Sequence, residues 1–146
     1  MPIHVEVITP EGVELEEDGA EHVLLSAAGG ELGILPGHIP MFCSVAIGPL
    51  TIEKKGETIE MATSGGFAEL NSDHLMILAE TAEKADEIDV ERAQEALERA
   101  RERLHRGEEV DRARLTSALA RARTRLHVAG HEIDAPRPGA GGGTTP

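Results

Sequence analysis

The hydrophobic period of this chain changes once, at about Asp86, and that change fixes what the 146 residues can fold into. Before it, apolar residues alternate with polar ones in short runs. Ile3-His-Val-Glu-Val-Ile8, Val13-Glu-Leu-Glu16, Leu50-Thr-Ile-Glu-Lys54 and Thr58-Ile-Glu-Met-Ala62 have the period of two expected of half-buried strands. Val23–Ala27, Met41–Ile47, Gly65–Leu70 and His74–Ala79 add more continuous apolar runs. Thr9–Gly12, Glu16–Gly19 and Lys55-Gly56 read as breaks, so about eight or nine short strands are expected, with no helical pattern between them. Such a succession folds as an antiparallel sandwich or barrel, and a small sandwich over residues 1–84 is the expectation.

After Asp86 the spacing is helical. Val90, Ala93, Leu97, Ala100 and Leu104 step by three and four, and His105-Arg-Gly107 ends the run. Asp111 is a plausible N-cap for a second helix, whose seam is Leu115, Leu119, Ala122, Leu126 and Ala129. Two such seams joined by a short loop predict an antiparallel helical hairpin over residues 85–130. Alanine takes four of the ten seam positions, so the pair gains little from its own contact and depends on what it docks against. The Pro-, Gly- and Thr-rich residues 131–146 are expected to be a disordered tail. The expected class is α+β, an N-terminal antiparallel β-sandwich followed by a C-terminal α-helical hairpin.

Charge separates the same two regions. Residues 1–80 carry two basic and fourteen acidic side chains, whereas residues 81–130 carry eleven of each. The acidic half argues against nucleic acid or an anionic membrane as the main partner, and the lack of Trp and Tyr removes aromatic stacking on bases. No apolar run is long enough to span a bilayer and no signal peptide is apparent, which suggests residence in the cytoplasm or on its membrane face. The single cysteine, Cys43, lies in an apolar run and is expected to be a small core residue. His38, Cys43, Ser64 and Glu69 form no recognised catalytic arrangement, so neither an independent catalytic site nor a metal site is expected.

Two features are more specific. In Gly29–Pro40, glycine and proline recur every few residues, and Leu35-Pro36-Gly37-His38 sets a turn. This is not a phosphate loop, because no Lys-Ser or Lys-Thr follows the glycines. The other is a stripe of arginines. Arg92 and Arg99 lie seven apart with Arg103 near their line, and Arg114, Arg121 and Arg125 repeat the pattern on the second helix. One reading is a solvated face with Glu95–Arg99 and Glu102–Arg106 pairs at i, i+4. The other is convergence on a polyanion, since guanidinium forks match phosphate geometry.

Gly30-Glu-Leu-Gly-Ile-Leu-Pro-Gly-His-Ile-Pro40 resembles the signature of the epsilon subunit of bacterial F-type ATP synthase, the delta subunit of mitochondrial enzymes. Gly65-Gly-Phe-Ala-Glu69, Ile77–Glu83 and Ile88-Asp-Val-Glu-Arg-Ala93 follow in that family's order and spacing, and the resemblance runs from Pro2 to about Val128. It implies a non-catalytic central-stalk subunit coupling the gamma shaft to the c-ring, on the cytoplasmic face of the cell membrane and attached only through the complex. The region of Glu31, Leu32 and His38 would meet the c-ring or gamma. The hairpin would brake ATP hydrolysis by extending toward the alpha and beta subunits.

Some members bind ATP as a regulatory ligand through Ile/Leu-Asp-x-x-Arg-Ala. Ile88, Asp89, Arg92 and Ala93 fit that motif, Glu83 matches a residue near the adenine, Arg99 a further phosphate contact, and Arg121 and Arg125 the basic pair on the second helix. No required cofactor is implied. The alternative is a free-standing β-sandwich binding module with a helical cap.

Overall fold

The computed structural model of the chain describes residues 2–107 and 112–130; the expected N-cap Asp111 and the tail over residues 131–146 lie outside them. Seven strands come first: β1 (Ile3–Thr9), β2 (Gly12–Ala27), β3 (Gly30–Ile34), β4 (Met41–Ser44), β5 (Gly48–Lys54), β6 (Glu57–Asn71) and β7 (His74–Lys84). A 3₁₀ turn at Ala85–Glu87 leads to α1 (Val90–His105) and α2 (Arg112–Val128).

The strands pair in the order β1-β7-β6-β5-β2-β3, with β4 on β6, and a β1–β2 pairing closes the path. Two long strands make this possible. β2 pairs with β1 through its first half and with β3 and β5 through its second, and β6 serves β4, β5 and β7. They account for the lower strand count. Gly19 and Gly65, read as boundaries, sit inside β2 and β6 with φ of 83° and 62°, where glycine bends a strand without ending it. β1 and β7 run parallel, the one departure from antiparallel pairing among the described residues. Met41–Ile47 divides into β4 and an isolated bridge from Val45 to Ala27.

One core fills the sandwich. Ile3, Val5 and Val7 alternate with outward residues and are fully buried, as are Ile34, Ile52, Met61 and Leu75. Cys43 is half-buried and packs against this core, where burial raises its thiol pKa. Leu35-Pro36-Gly37-His38 is the expected turn: the His38 N–H donates to Leu35 O at 3.1 Å, and Gly37 has φ of 83°. The Gly37 N–H also donates to Asp73 Oδ1 at 2.8 Å, pinning this turn to the β6–β7 turn.

The hairpin folds back on the sandwich through α2, which packs on β5 and β6. This explains why Met61, Ala62, Thr63 and Ser64 are buried in succession, with no alternation. Met61 belongs to the sandwich core, whereas Ala62 packs with Ile88, Val128 and Ala129 beneath α2. Ala93, Leu97, Ala122 and Leu126 form the helix–helix contact, with Val90 and Leu119 at its margin. Ala129 was expected in that seam and instead faces the sandwich. The reason is that α2 is buried on two sides, and Thr124, absent from the expected seam, is 9% exposed. Its hydroxyl donates to Ala120 O at 2.8 Å, which satisfies it inside the helix.

Candidate functional site

A cleft of about 720 Å³ lies between the hairpin and the sandwich. The sandwich wall comes from the β1–β2 turn (Thr9, Pro10, Glu11, Glu14) and the end of β7 (Glu80 to Glu83). The hairpin wall is Asp89, Arg92, Ala93, Ala96 and Arg99, with Arg125 reaching in from α2.

Each wall has a local cause. Asp89 starts α1: its carboxylate accepts the Arg92 N–H at 3.1 Å, and its carbonyl accepts the Ala93 N–H at 3.0 Å. That cap fixes the first turn, and Arg92 and Arg99, two turns apart, share one exposed face. Glu87 closes the preceding turn by accepting the Lys84 N–H at 3.0 Å. On the sandwich side, Thr9 Oγ1 donates to Glu14 Oε1 at 3.0 Å and accepts the Glu11 N–H at 3.2 Å, holding the β1–β2 turn. Between the walls, Arg125 Nε donates to Glu83 Oε1 at 2.6 Å.

Of the seven residues expected to contact nucleotide, five line this cleft: Glu83, Asp89, Arg92, Arg99 and Arg125. Ile88 does not; it is buried against Ala62 and Val128 and anchors the chain where the strands give way to helix. Arg121 lines a neighbouring hollow of about 10 Å³ with Ser64, Thr81 and Thr124, which Glu83 and Arg125 also border. Arg103 and Arg114 lie outside the cleft lining, and each has a partner of its own. The Glu102–Arg106 pair forms at 3.6 Å, whereas no ion pair joins Glu95 to Arg99 among the described residues.

The sequence reading missed the acidic rim. Glu11, Glu14, Glu80 and Glu87 join Glu83 and Asp89, so six carboxylates surround three arginines. No local pattern reveals this, because Glu11 and Arg125 meet only through the fold. The cleft is therefore not a plain anion hole. Its arginines can take anionic oxygens and its carboxylates can take hydrogen-bond donors or cations.

At the opposite turn region, Glu31 is exposed on β3, paired in register with Ser26. Leu32 is half-buried against the sandwich core, and the His38 ring nitrogen Nδ1 lies 2.8 Å from Ile39 O. Leu35 and Ile39 beside them are 59% and 74% exposed. Phe42 and Phe67 stack with centroids 5.5 Å apart on β4 and β6 and are likewise exposed. No helix among the described residues is long and apolar enough to cross a membrane.

Comparison with known proteins agrees with this architecture. Residues 2–85 match the family described as ATP synthase, Delta/Epsilon chain, beta-sandwich domain, and residues 86–130 match its long alpha-helix domain. The ATP synthase epsilon chain of Bacillus subtilis is 47% identical over 103 residues, spanning 70% of this chain and 77% of that one. That of Carboxydothermus hydrogenoformans is 49% identical over 104 residues, spanning 71% and 77%. A chain in the cryo-EM structure of the Euglena gracilis mitochondrial ATP synthase, OSCP/F1/c-ring, superposes with a TM-score of 0.77 at 28% identity. That match covers 89% of this chain and 82% of the other. With its strand order, its docked hairpin and these relatives together, the chain belongs to the delta/epsilon family of ATP synthase subunits, as an epsilon-type member.

Proposed function

We propose that this protein is a non-catalytic central-stalk subunit that couples the gamma shaft to the c-ring and uses its hairpin as a conditional brake on ATP hydrolysis. The chemistry belongs to the alpha and beta subunits, and the chain reaches the cytoplasmic face of the membrane only through the complex. The exposed surface around Glu31, Leu32 and His38 is the proposed contact with the c-ring or gamma. The family assignment leaves the free-standing binding module without support.

The observation that carries the brake is the position of the cleft: one wall is sandwich, the other is hairpin. A ligand held between them binds only the folded-back arrangement and shifts the equilibrium toward it. At a hundred times its dissociation constant, it stabilises that form by ~2.7 kcal/mol. ATP is the proposed ligand. Its phosphates would meet Arg92, Arg99 and Arg125, and the amino group of its base would find acceptors in Glu83 and Asp89. The six carboxylates oppose a bare polyanion, so a divalent cation accompanying the phosphates should strengthen binding.

The test is ATP hydrolysis by the cognate catalytic sector depleted of this subunit. It is supplied with either the full chain or one ending at Glu87. The reading expects the full chain to slow turnover, the truncation to bind without slowing it, and ATP to relieve the inhibition. If both bind and neither slows hydrolysis, the chain is a coupling link and the brake is wrong. If ATP fails to relieve inhibition and shows no binding by calorimetry, the ligand is wrong while the brake stands.

A further inference from the structure

β1 turns His4 and Glu6 outward, while Ile3, Val5 and Val7 point into the core and are fully buried. On one side β7 runs parallel, with His74 in register with His4. On the other, β2 places Glu16 in register with Glu6. Three strands thus bring two imidazoles and two carboxylates to one outward patch, although His74 is 68 residues from Glu6. No local spacing in the sequence announces such a group.

The atoms converge. Glu6 Oε1 lies 2.9 Å from His74 Nε2 and 3.6 Å from His4 Nε2, and His4 Nε2 lies 3.2 Å from Glu16 Oε1. One donor atom each from His4, Glu6 and His74 fall within 4.8 Å of one another. A zinc ion with four ligands at about 2.0–2.1 Å keeps neighbouring ligand atoms roughly 3.3 Å apart, and the observed separations bracket that spacing. His4 also has a partner for its other nitrogen: Nδ1 lies 3.5 Å from Asp18 Oδ1. A carboxylate behind a metal-binding imidazole fixes the ring and its tautomer.

We propose that His4, Glu6 and His74 form a binding site for a divalent transition metal of the zinc class, with the exposed Glu16 beside His4 supplying a fourth ligand and Asp18 orienting His4. Two imidazoles with two carboxylates favour zinc, nickel or copper over magnesium or calcium, which prefer all-oxygen shells. The cation replaces the proton between His74 and Glu6 and ties β1 to both of its neighbours. His4 is 31% and His74 45% exposed, so an ion reaches them without unfolding the sandwich. The patch lies at the opposite end of β1 from Thr9, roughly 16 Å along the strand from the nucleotide cleft. It stands independently of the proposed brake.

The test is calorimetric titration of the full chain with zinc chloride in a non-chelating buffer, alongside NMR of the histidine ring protons. The expected result is a site whose affinity falls at least tenfold in His74→Ala and in Glu6→Gln. His22→Ala serves as control, because that ring sits 3.4 Å from Glu53 at another register of β2, and it should leave the affinity unchanged. In the parent chain the rings of His4 and His74 should respond together, and magnesium in excess should not displace the zinc. If both patch variants bind zinc like the parent, or if the His4 and His74 signals do not move, the site is wrong. The parent-chain NMR decides the matter even if a variant folds poorly.

Discussion

Glu83, near the end of β7, accepts the Nε–H of Arg125 on α2 at 2.6 Å, an ion pair that joins the sandwich to the hairpin. Both side chains are about 30% exposed, so solvent screens much of the attraction. A pair of this kind contributes about 0.2–1 kcal/mol. Arg125→Ala and Glu83→Gln should therefore raise hydrogen exchange in α2 by a few-fold while leaving the exchange of β1 and β7 core amides unchanged. A double-mutant cycle should return a coupling in that range. Equal loosening of the whole chain would show that the pair supports the sandwich and not the docking.

Asp89 has two possible duties, capping α1 and facing the cleft, and a serine separates them. Asp89→Ala removes the acceptor for the Arg92 N–H and should cost ~1 kcal/mol of helix stability. Asp89→Ser keeps a capping oxygen and should retain α1 by circular dichroism. If Asp89 also accepts a hydrogen bond from bound ATP, the serine variant should lose ATP affinity by tenfold or more with the helix intact. Affinity that follows helicity through both variants would leave Asp89 as a cap alone.

How far the chain could be read in advance depended on how local each cause was. The Leu35–His38 turn and the Gly107 stop are set by a few adjacent residues, and each was legible; the Asp89 cap was not read as one. So was the Ala93–Leu97 seam, which needs only helical spacing. The parallel β1–β7 pair was not, because no short segment encodes a partner seventy residues away. Ala129 and Thr124 misled for a related reason: a helix buried on two sides has no single stripe. Arg92 and Arg99 stand out by their seven-residue spacing, whereas Glu11, Glu14, Glu80 and Glu87 come from three segments that only the folded chain assembles.

Gly65 and Gly66 are adjacent in β6 yet should respond very differently to alanine. At Gly66, φ is 126° and an added Cβ would lie 1.9 Å from the Leu78 carbonyl oxygen, so β6 and β7 would have to separate. At Gly65, φ is 62° and the nearest atom is Glu80 Cδ at 3.6 Å, the movable end of a side chain. Gly65→Ala should cost roughly 1 kcal/mol for the left-handed backbone. Gly66→Ala should lose more than ~3 kcal/mol or fail to fold, since neither backbone can yield cheaply. Urea midpoints with unchanged slope would measure both, and equal costs would contradict the close approach.

Val128 is 4% exposed and packs with Ala62 and Ile88, so the apolar docking of α2 rests on very few side chains. Removing its two methyl groups in Val128→Ala forfeits about 1.5 kcal/mol, close to a tenfold shift toward the undocked hairpin. Leu97→Ala is the contrasting change, because Leu97 packs between α1 and α2 and should weaken the hairpin itself. Small-angle scattering should therefore report an extended form with intact helical content for Val128→Ala, but reduced helical content for Leu97→Ala. If the hairpin is the brake, Val128→Ala should also inhibit ATP hydrolysis more strongly and need more ATP for relief, because the folded-back state that ATP binds has become rarer. An undocked hairpin with no change in inhibition would separate docking from braking.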